Sequence, residues 1–180
     1  MLDSLILQRP LIFFDVETTG TNPVKDKIVE LCAIKIFPDP KEASRKSRTT
    51  YLQLFNPEME IPADVSEIHG ITNEMVKNEP PFREKAKEIA KFFSDCDLAG
   101  FNIVRFDVPV LVEEFFRSGL EYNPVENAKI VDAMAIFHKK EPRNLAAALK
   151  FYADEELVDA HSAEADVEAT IKVLDGQLKK

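Results

Sequence analysis

The sequence predicts an α/β fold: a central mixed sheet that opens with an antiparallel meander of three strands and continues as strands separated by helices on both faces. Three observations carry this reading. Up to residue 56 the apolar residues fall in short runs with an approximate period of two. Beyond residue 62 the spacing changes to three and four, interrupted by brief apolar runs near residues 98 and 128. With 180 residues, 45% of them apolar and 31% charged, the chain is expected to form a single domain, residues 1–180, that buries its own core.

The first strand is Leu11 to about Thr18. Four apolar residues, Leu11, Ile12, Phe13 and Phe14, run into Asp15, and Thr18, Thr19 and Gly20 end the run. A polar connection over 21–27 contains Asn22-Pro23, and residues 28–37 form a second strand that stops at Pro38. Residues 38–48 are turn-rich and basic and read as a hairpin loop; 49–56 return as the third strand. Asp64 and Glu67 have the spacing of a capping box, Gly70 suits a C′ position, and Thr72 can cap a short helix through Lys77.

Residues 82–94 place Phe82, Ala86, Ile89, Ala90 and Phe93 on one helix face. A strand at 98–101 leads through Asn102 into a helix that ends at Ser118, with Val108, Val110, Leu111 and Phe115 inward and Gly119 as its stop. A strand at 128–131 precedes helices at 133–139 and 145–151, the latter capped by Asn144. The last helix, 163–178, is expected to start from Ser162 and to bury Val167, Ile171, Leu174 and Leu178.

Thirteen Phe against three Tyr and no Trp point to a Phe-rich core. Cys32 and Cys96 stand alone, which excludes a disulfide framework or a thiolate cluster and fits a reducing compartment. No basic leader or apolar run near 18 residues is visible, so a cytoplasmic protein without a membrane span is expected. Dinucleotide binding is unsupported, since no GxGxxG follows a strand. The formal charge of −9 argues against wrapping nucleic acid by bulk electrostatics, but not against an enzyme that acts on it. If four acids held metal ions, 28 acidic residues would remain against 23 basic ones.

The chemistry concentrates in acids. Asp15 and Glu17 share a strand face, with Cα atoms roughly 6.5 Å apart. Two carboxylates side by side at the end of a buried strand call for a positive group, most simply a divalent cation. On this segment alone, an Asp that ends the strand and a Glu that faces solvent account for the pattern equally well. Asp107, with Val110 and Leu111 at i+3 and i+4, lies on or beside the buried helix face, unlike Glu113 on the solvent side. Asp166 directly precedes Val167 and can reach the inner edge of the last helix. His161 lies just outside that helix, and its ordinary pKa suits proton transfer near neutrality. Converged, the four carboxylates would match hard ions, Mg²⁺ or Mn²⁺, better than zinc. A pair of such ions clamps the attacking and leaving oxygens of a phosphodiester displacement.

The segments FFDVETTG at 13–20, EIHGIT at 67–72, GFNIVRFDVPVL at 100–111 and HSAEAD at 161–166 together resemble the DEDDh exonucleases. These form a branch of the ribonuclease H-like superfamily that contains the proofreading epsilon subunit of bacterial DNA polymerase III. The resemblance spans roughly residues 9–178 and implies a ribonuclease H-like sheet and 3′→5′ removal of nucleoside 5′-monophosphates, with DNA favoured. It implies two Mg²⁺ or Mn²⁺ ions, one held by Asp15, Glu17 and Asp166 and the other by Asp15 and Asp107, with His161 as general base. It also implies that Thr18 and the backbone at Thr19 face the terminal nucleotide, that His69 lies by its base or sugar, and that Asn102 contacts the substrate strand. Phe101 stands where the family often has histidine, and Asp132 matches a recurrent acid with a structural role. The basic 38–48 loop and Lys139, Lys140 and Arg143 could meet phosphates or simply face water. The expected partner is a nucleic acid 3′ end, single-stranded or frayed, with a separate polymerase or repair protein as a further partner. An RNA-trimming 3′→5′ exoribonuclease and a non-enzymatic nucleic-acid or partner-binding module of the same fold are the alternatives.

Overall fold

A computed structural model describes residues 5–38, 47–141, 143–158 and 162–179. His161 and residues 39–46 of the basic loop lie outside the described residues. The chain divides into two compact units, Met1–Met134 and Ala135–Lys180.

The first unit holds a five-stranded sheet of order β3-β2-β1-β4-β5. Its strands are β1 (Leu11–Thr18), β2 (Ile28–Ile36), β3 (Arg48–Leu54), β4 (Asp97–Gly100) and β5 (Ile130–Asp132). The meander β1–β2–β3 is antiparallel, whereas β4 joins β1 and β5 joins β4 in parallel. This is the expected mixed sheet of ribonuclease H-like order. The β1–β2 register runs evenly from Leu11 opposite Ile36 to Glu17 opposite Glu30, then slips so that Thr18 faces Ile28. Val29 is the extra residue, a bulge at the end of the strand that carries the paired acids.

Helices α3 (Phe82–Phe93) and α4 (Asp107–Arg117) pack on the sheet through Ile12, Phe14, Leu31 and Ala33. Phe55, Phe93 and Phe115 are fully buried there, each worth about 2–3 kcal/mol of apolar burial. Edge-to-face contacts tie Phe14 to Phe93 at 5.4 Å and Phe82 to Phe115 at 5.5 Å between ring centroids. A second cluster, Val29, Ile61, Ile71 and Val76, attaches α1 (Ala63–His69) and α2 (Asn73–Val76). Thr72 caps α2 as expected, accepting from the Met75 N–H, and Gly70 ends α1 at φ 78°. The capping box is not formed. Pro62 takes the N-cap position, its ring presetting φ, so Asp64 falls inside the first turn and faces solvent.

Helix α5 (Ala133–Lys140) crosses the boundary between the units, and the second unit pairs α6 (Leu145–Ala153) with α7 (Ala163–Leu178). Asn144 caps α6 through the Ala147 N–H at 2.9 Å. Ser162 stands at the N-cap of α7 without a side-chain capping bond. The buried stripe of α7 differs from expectation. Ala169 and Val173 pack against Leu149, while Val167, Ile171, Leu174 and Leu178 are all more than half exposed. Close approach selects the small-residue stripe: at Gly176 an added Cβ would lie 2.6 Å from the Tyr152 carbonyl oxygen. Among the described residues, no helix is long and apolar enough to cross a membrane.

Candidate active site

The acids of the first unit gather where β1 ends. Asp15 is exposed and Glu17 half-buried on the same face of β1. Asp107 opens α4 with only 4% of its surface exposed, and its Oδ1 accepts the Val16 N–H at 3.1 Å. That bond draws the start of α4 onto the strand between the two acids.

Loss of hydration, partial at Asp15 and Glu17 and greatest at Asp107, pushes all three carboxyls upward. For Asp15 desolvation is the cause. For Glu17, desolvation is followed by repulsion from Asp15 and from Glu30 across the strand, opposed by His69. For Asp107, desolvation lifts the carboxyl to about 6 against the Val16 hydrogen bond, and the charges of Asp15 and Glu17 add to the rise. Among the described residues, no Lys or Arg forms an ion pair with any of the three. Nor does any group of three or more His, Cys, Asp and Glu side chains stand ready to hold a metal ion there. The donors are nonetheless of the right kind: uncompensated carboxylate oxygens that lose energy to one another and would regain it around a hard divalent cation.

The remaining predicted residues fall into three groups. Thr18 and Thr19 are both buried and their hydroxyls are committed locally, Thr18 to the Gly20 carbonyl at 2.5 Å and Thr19 to Asp26 at 3.0 Å. His69 ends α1, and its Nδ1 accepts the Ile71 N–H at 3.0 Å, so Nε2 bears the proton of the neutral ring. Among the described residues that Nε2 is buried without a hydrogen-bond partner. Asn102 follows β4 at φ 65°, a left-handed turn held by its N–H to Asp132 at 3.0 Å, and its Oδ1 is likewise buried and without a partner among the described residues. Asp132 also accepts from the Val104 and Met134 N–H groups, which is the structural role expected of it. Asp166 lies in the second unit, half-buried in the first turn of α7. His161 is outside the described residues.

Two charged residues of this region were not anticipated from the sequence. Glu114 is only 5% exposed, and its Oε1 accepts the Ile28 N–H at 3.0 Å. Arg117, one turn on, bonds Glu114 at 3.2 Å and reaches the β1–β2 connection. The available signal was spacing, since Glu114 lies at i+7 from Asp107 and at i+3 from buried Leu111.

Comparison with known proteins accords with this arrangement. Residues 12–174 match the family described as Exonuclease. The chain is similar to the 3′-5′ exonuclease DinG of Bacillus subtilis, with 29% identity over 164 residues that cover 88% of this chain and 16% of that protein. It is similar to the PolC-type DNA polymerase III of Halalkalibacterium halodurans, with 32% identity over 92% of this chain and 11% of the polymerase. The DNA polymerase III epsilon subunit of Buchnera aphidicola shares 30% identity over 73% of this chain and 57% of its own length. Each match thus spans less than two thirds of the relative. Among solved structures, E. coli exonuclease I in complex with an oligonucleotide has the same fold, with a TM-score of 0.63 at 23% identity over 96% of this chain and 41% of that one. The chain belongs to the exonuclease family and is a ribonuclease H-like 3′→5′ exonuclease family member of the DEDDh type.

Proposed function

We propose that the chain hydrolyses nucleic acid from the 3′ end, with DNA favoured and single-stranded or frayed ends preferred, releasing nucleoside 5′-monophosphates. The observation that carries this reading is the carboxylate set at the end of β1, in which Asp15, Glu17 and Asp107 all have raised carboxyls and no Lys or Arg ion-pair partner among the described residues. Membership of the family implies a metal-dependent nuclease mechanism. Asp15, Glu17 and Asp166 would hold one Mg²⁺ or Mn²⁺, and Asp15 and Asp107 a second. Bound there, such ions lower the pKa of water and offset charge on the phosphoryl oxygens.

The chain's own residues supply the rest. His161 accepts a proton from the attacking water, the water oxygen bonds phosphorus, and the bond to the departing 3′ oxygen breaks. Thr18 and the backbone at Thr19 seat the terminal nucleotide, while His69 Nε2–H and Asn102 Oδ1, both without a partner among the described residues, offer a donor and an acceptor to the substrate. Residues 1–180 act as one exonuclease domain in this reading. The names of the polymerase relatives support DNA as substrate, and that of the epsilon subunit supports a polymerase as a separate partner.

The test is digestion of 5′-labelled single-stranded DNA, RNA and mismatched duplex with Mg²⁺ or Mn²⁺. A ladder shortening from the 3′ end is expected, fastest on single-stranded DNA. Asp15→Ala should abolish it, and His161→Ala should lower kcat at least a hundredfold with ion affinity kept. Cleavage retained by Asp15→Ala in a nuclease-free preparation overturns the mechanism, and a ladder on RNA alone overturns the substrate.

A further inference from the structure

Helix α4 carries two buried carboxylates on one face, Asp107 and Glu114, and each accepts a backbone N–H from a different strand of the meander. Asp107 takes that of Val16 in β1, and Glu114 takes that of Ile28, where β2 begins. The two strands meet between these points at the Val29 bulge. A buried Glu is a poor choice for stability alone. Desolvation raises its carboxyl against the pull of Ile28, Arg117 and Lys27, and an apolar side chain of similar size would pack there without that cost.

What the Glu114 carboxylate oxygen secures, by accepting from Arg117 as well as from Ile28, is a chain of bonds into the connection after β1. Arg117 Nη1 donates to Glu114 Oε1 at 3.2 Å, and its Nη2 donates to the Pro23 and Asp26 carbonyls at 2.9 Å each. The Asp26 carboxylate then accepts from the Thr19 hydroxyl at 3.0 Å and from the Asn22 N–H at 2.8 Å. Thr19 and Lys27 exchange two further bonds, at 2.9 and 3.1 Å. Gly20 packs so closely on Asp26 that a Cβ would lie 2.6 Å from its Oδ2. The segment from Thr18 to Gly20 therefore has little freedom while Asp26 is held.

We propose that Glu114, acting through Arg117, is a positioning residue. It fixes the backbone of Thr18, Thr19 and Gly20, the surface that seats the terminal nucleotide in the exonuclease reading on which this inference rests. The pair makes no contact with the reacting atoms, so loosening it should weaken seating of the last nucleotide in ground and transition states alike.

The experiment compares Glu114→Met, Arg117→Met and Glu114→Gln with the parent. A cavity of about 80 Å³ beside the pair gives the Met side chain of Glu114→Met room to settle, and Arg117→Met is the second route should that variant not fold. Amide exchange at Thr19, Lys27 and Ile28 is expected to quicken at least tenfold in the Met variants. KM for a single-stranded oligonucleotide should rise about tenfold with kcat within threefold, and Glu114→Gln, which keeps an acceptor for Ile28, should restore both. Unchanged exchange overturns the clamp. Quickened exchange with KM unmoved, or kcat falling in step with the folded fraction, overturns the positioning role. A parent that cuts no oligonucleotide refutes the exonuclease reading by itself, and the exchange measurement still decides whether the clamp exists.

Discussion

At the scale of single residues, Asp107 shows how the site stores unfavourable energy. Its carboxyl stands at about 6 in the folded chain, raised by burial first and by Asp15 and Glu17 after it. An acid that is harder to ionise when folded leaves stability intact below its unfolded value near 3.9 and removes it as pH rises to about 6. The loss corresponds to about 3 kcal/mol at neutral pH. Asp107→Asn keeps an oxygen for the Val16 N–H and escapes this loss. Without divalent ions it should be more stable than the parent by about that amount at pH 7, with no difference below about pH 4. Urea unfolding across pH checks this, and added Mg²⁺ should narrow the gap by stabilising the parent more than the variant, which lacks one of the two proposed ion sites. A less stable Asp107→Asn at pH 7 would contradict the assignment of burial as the dominant cause.

At the scale of elements, α6 and α7 illustrate packing that overrides periodicity. Both apolar stripes of α7 recur at helical spacing, and the larger one, from Val167 to Leu178, is the exposed one. Helices that meet through Ala169, Val173 and Gly176 approach more closely than Leu and Ile would allow. A glycine inside a helix costs about 1 kcal/mol relative to Ala, which its contact with Tyr152 explains. Gly176→Val should therefore destabilise the α6–α7 pair by about 1–3 kcal/mol despite adding an apolar side chain. Thermal unfolding followed by helix circular dichroism tests it, and an unchanged or raised midpoint would count against close packing at this point.

At the scale of the whole molecule, the net charge of −9 limits how the chain can hold a polyanion. The exonuclease reading needs contact with only the last few nucleotides. Neutralising about two or three phosphates of a single strand gives a salt slope near −2. Affinity for an oligonucleotide should then fall only about tenfold between roughly 50 and 200 mM salt, against 10³-fold or more for a protein that tracks a long duplex. Fluorescence anisotropy with Ca²⁺ in place of Mg²⁺ measures it, and a slope steeper than about −5 would indicate a longer basic track.

By itself the sequence determined most of the elements and which of their acids share a face or turn inward. The run Leu11 to Phe14 reads as a buried strand, period two puts Asp15 and Glu17 on one face, and i+3 and i+4 neighbours turn Asp107 inward. These are local rules, and the tertiary structure agrees with them. What it alone decided are the contacts between distant segments. Glu114 meets Ile28 across 86 positions and Arg117 meets Pro23 across 94, separations over which no periodicity carries information. The Val29 bulge and the buried stripe of α7 have the same origin, because each depends on how closely a neighbouring element can approach. The acids at the end of β1 were legible because carboxylates announce themselves; the scaffold around them was not, because it is built from bonds between elements that meet only once the chain has folded.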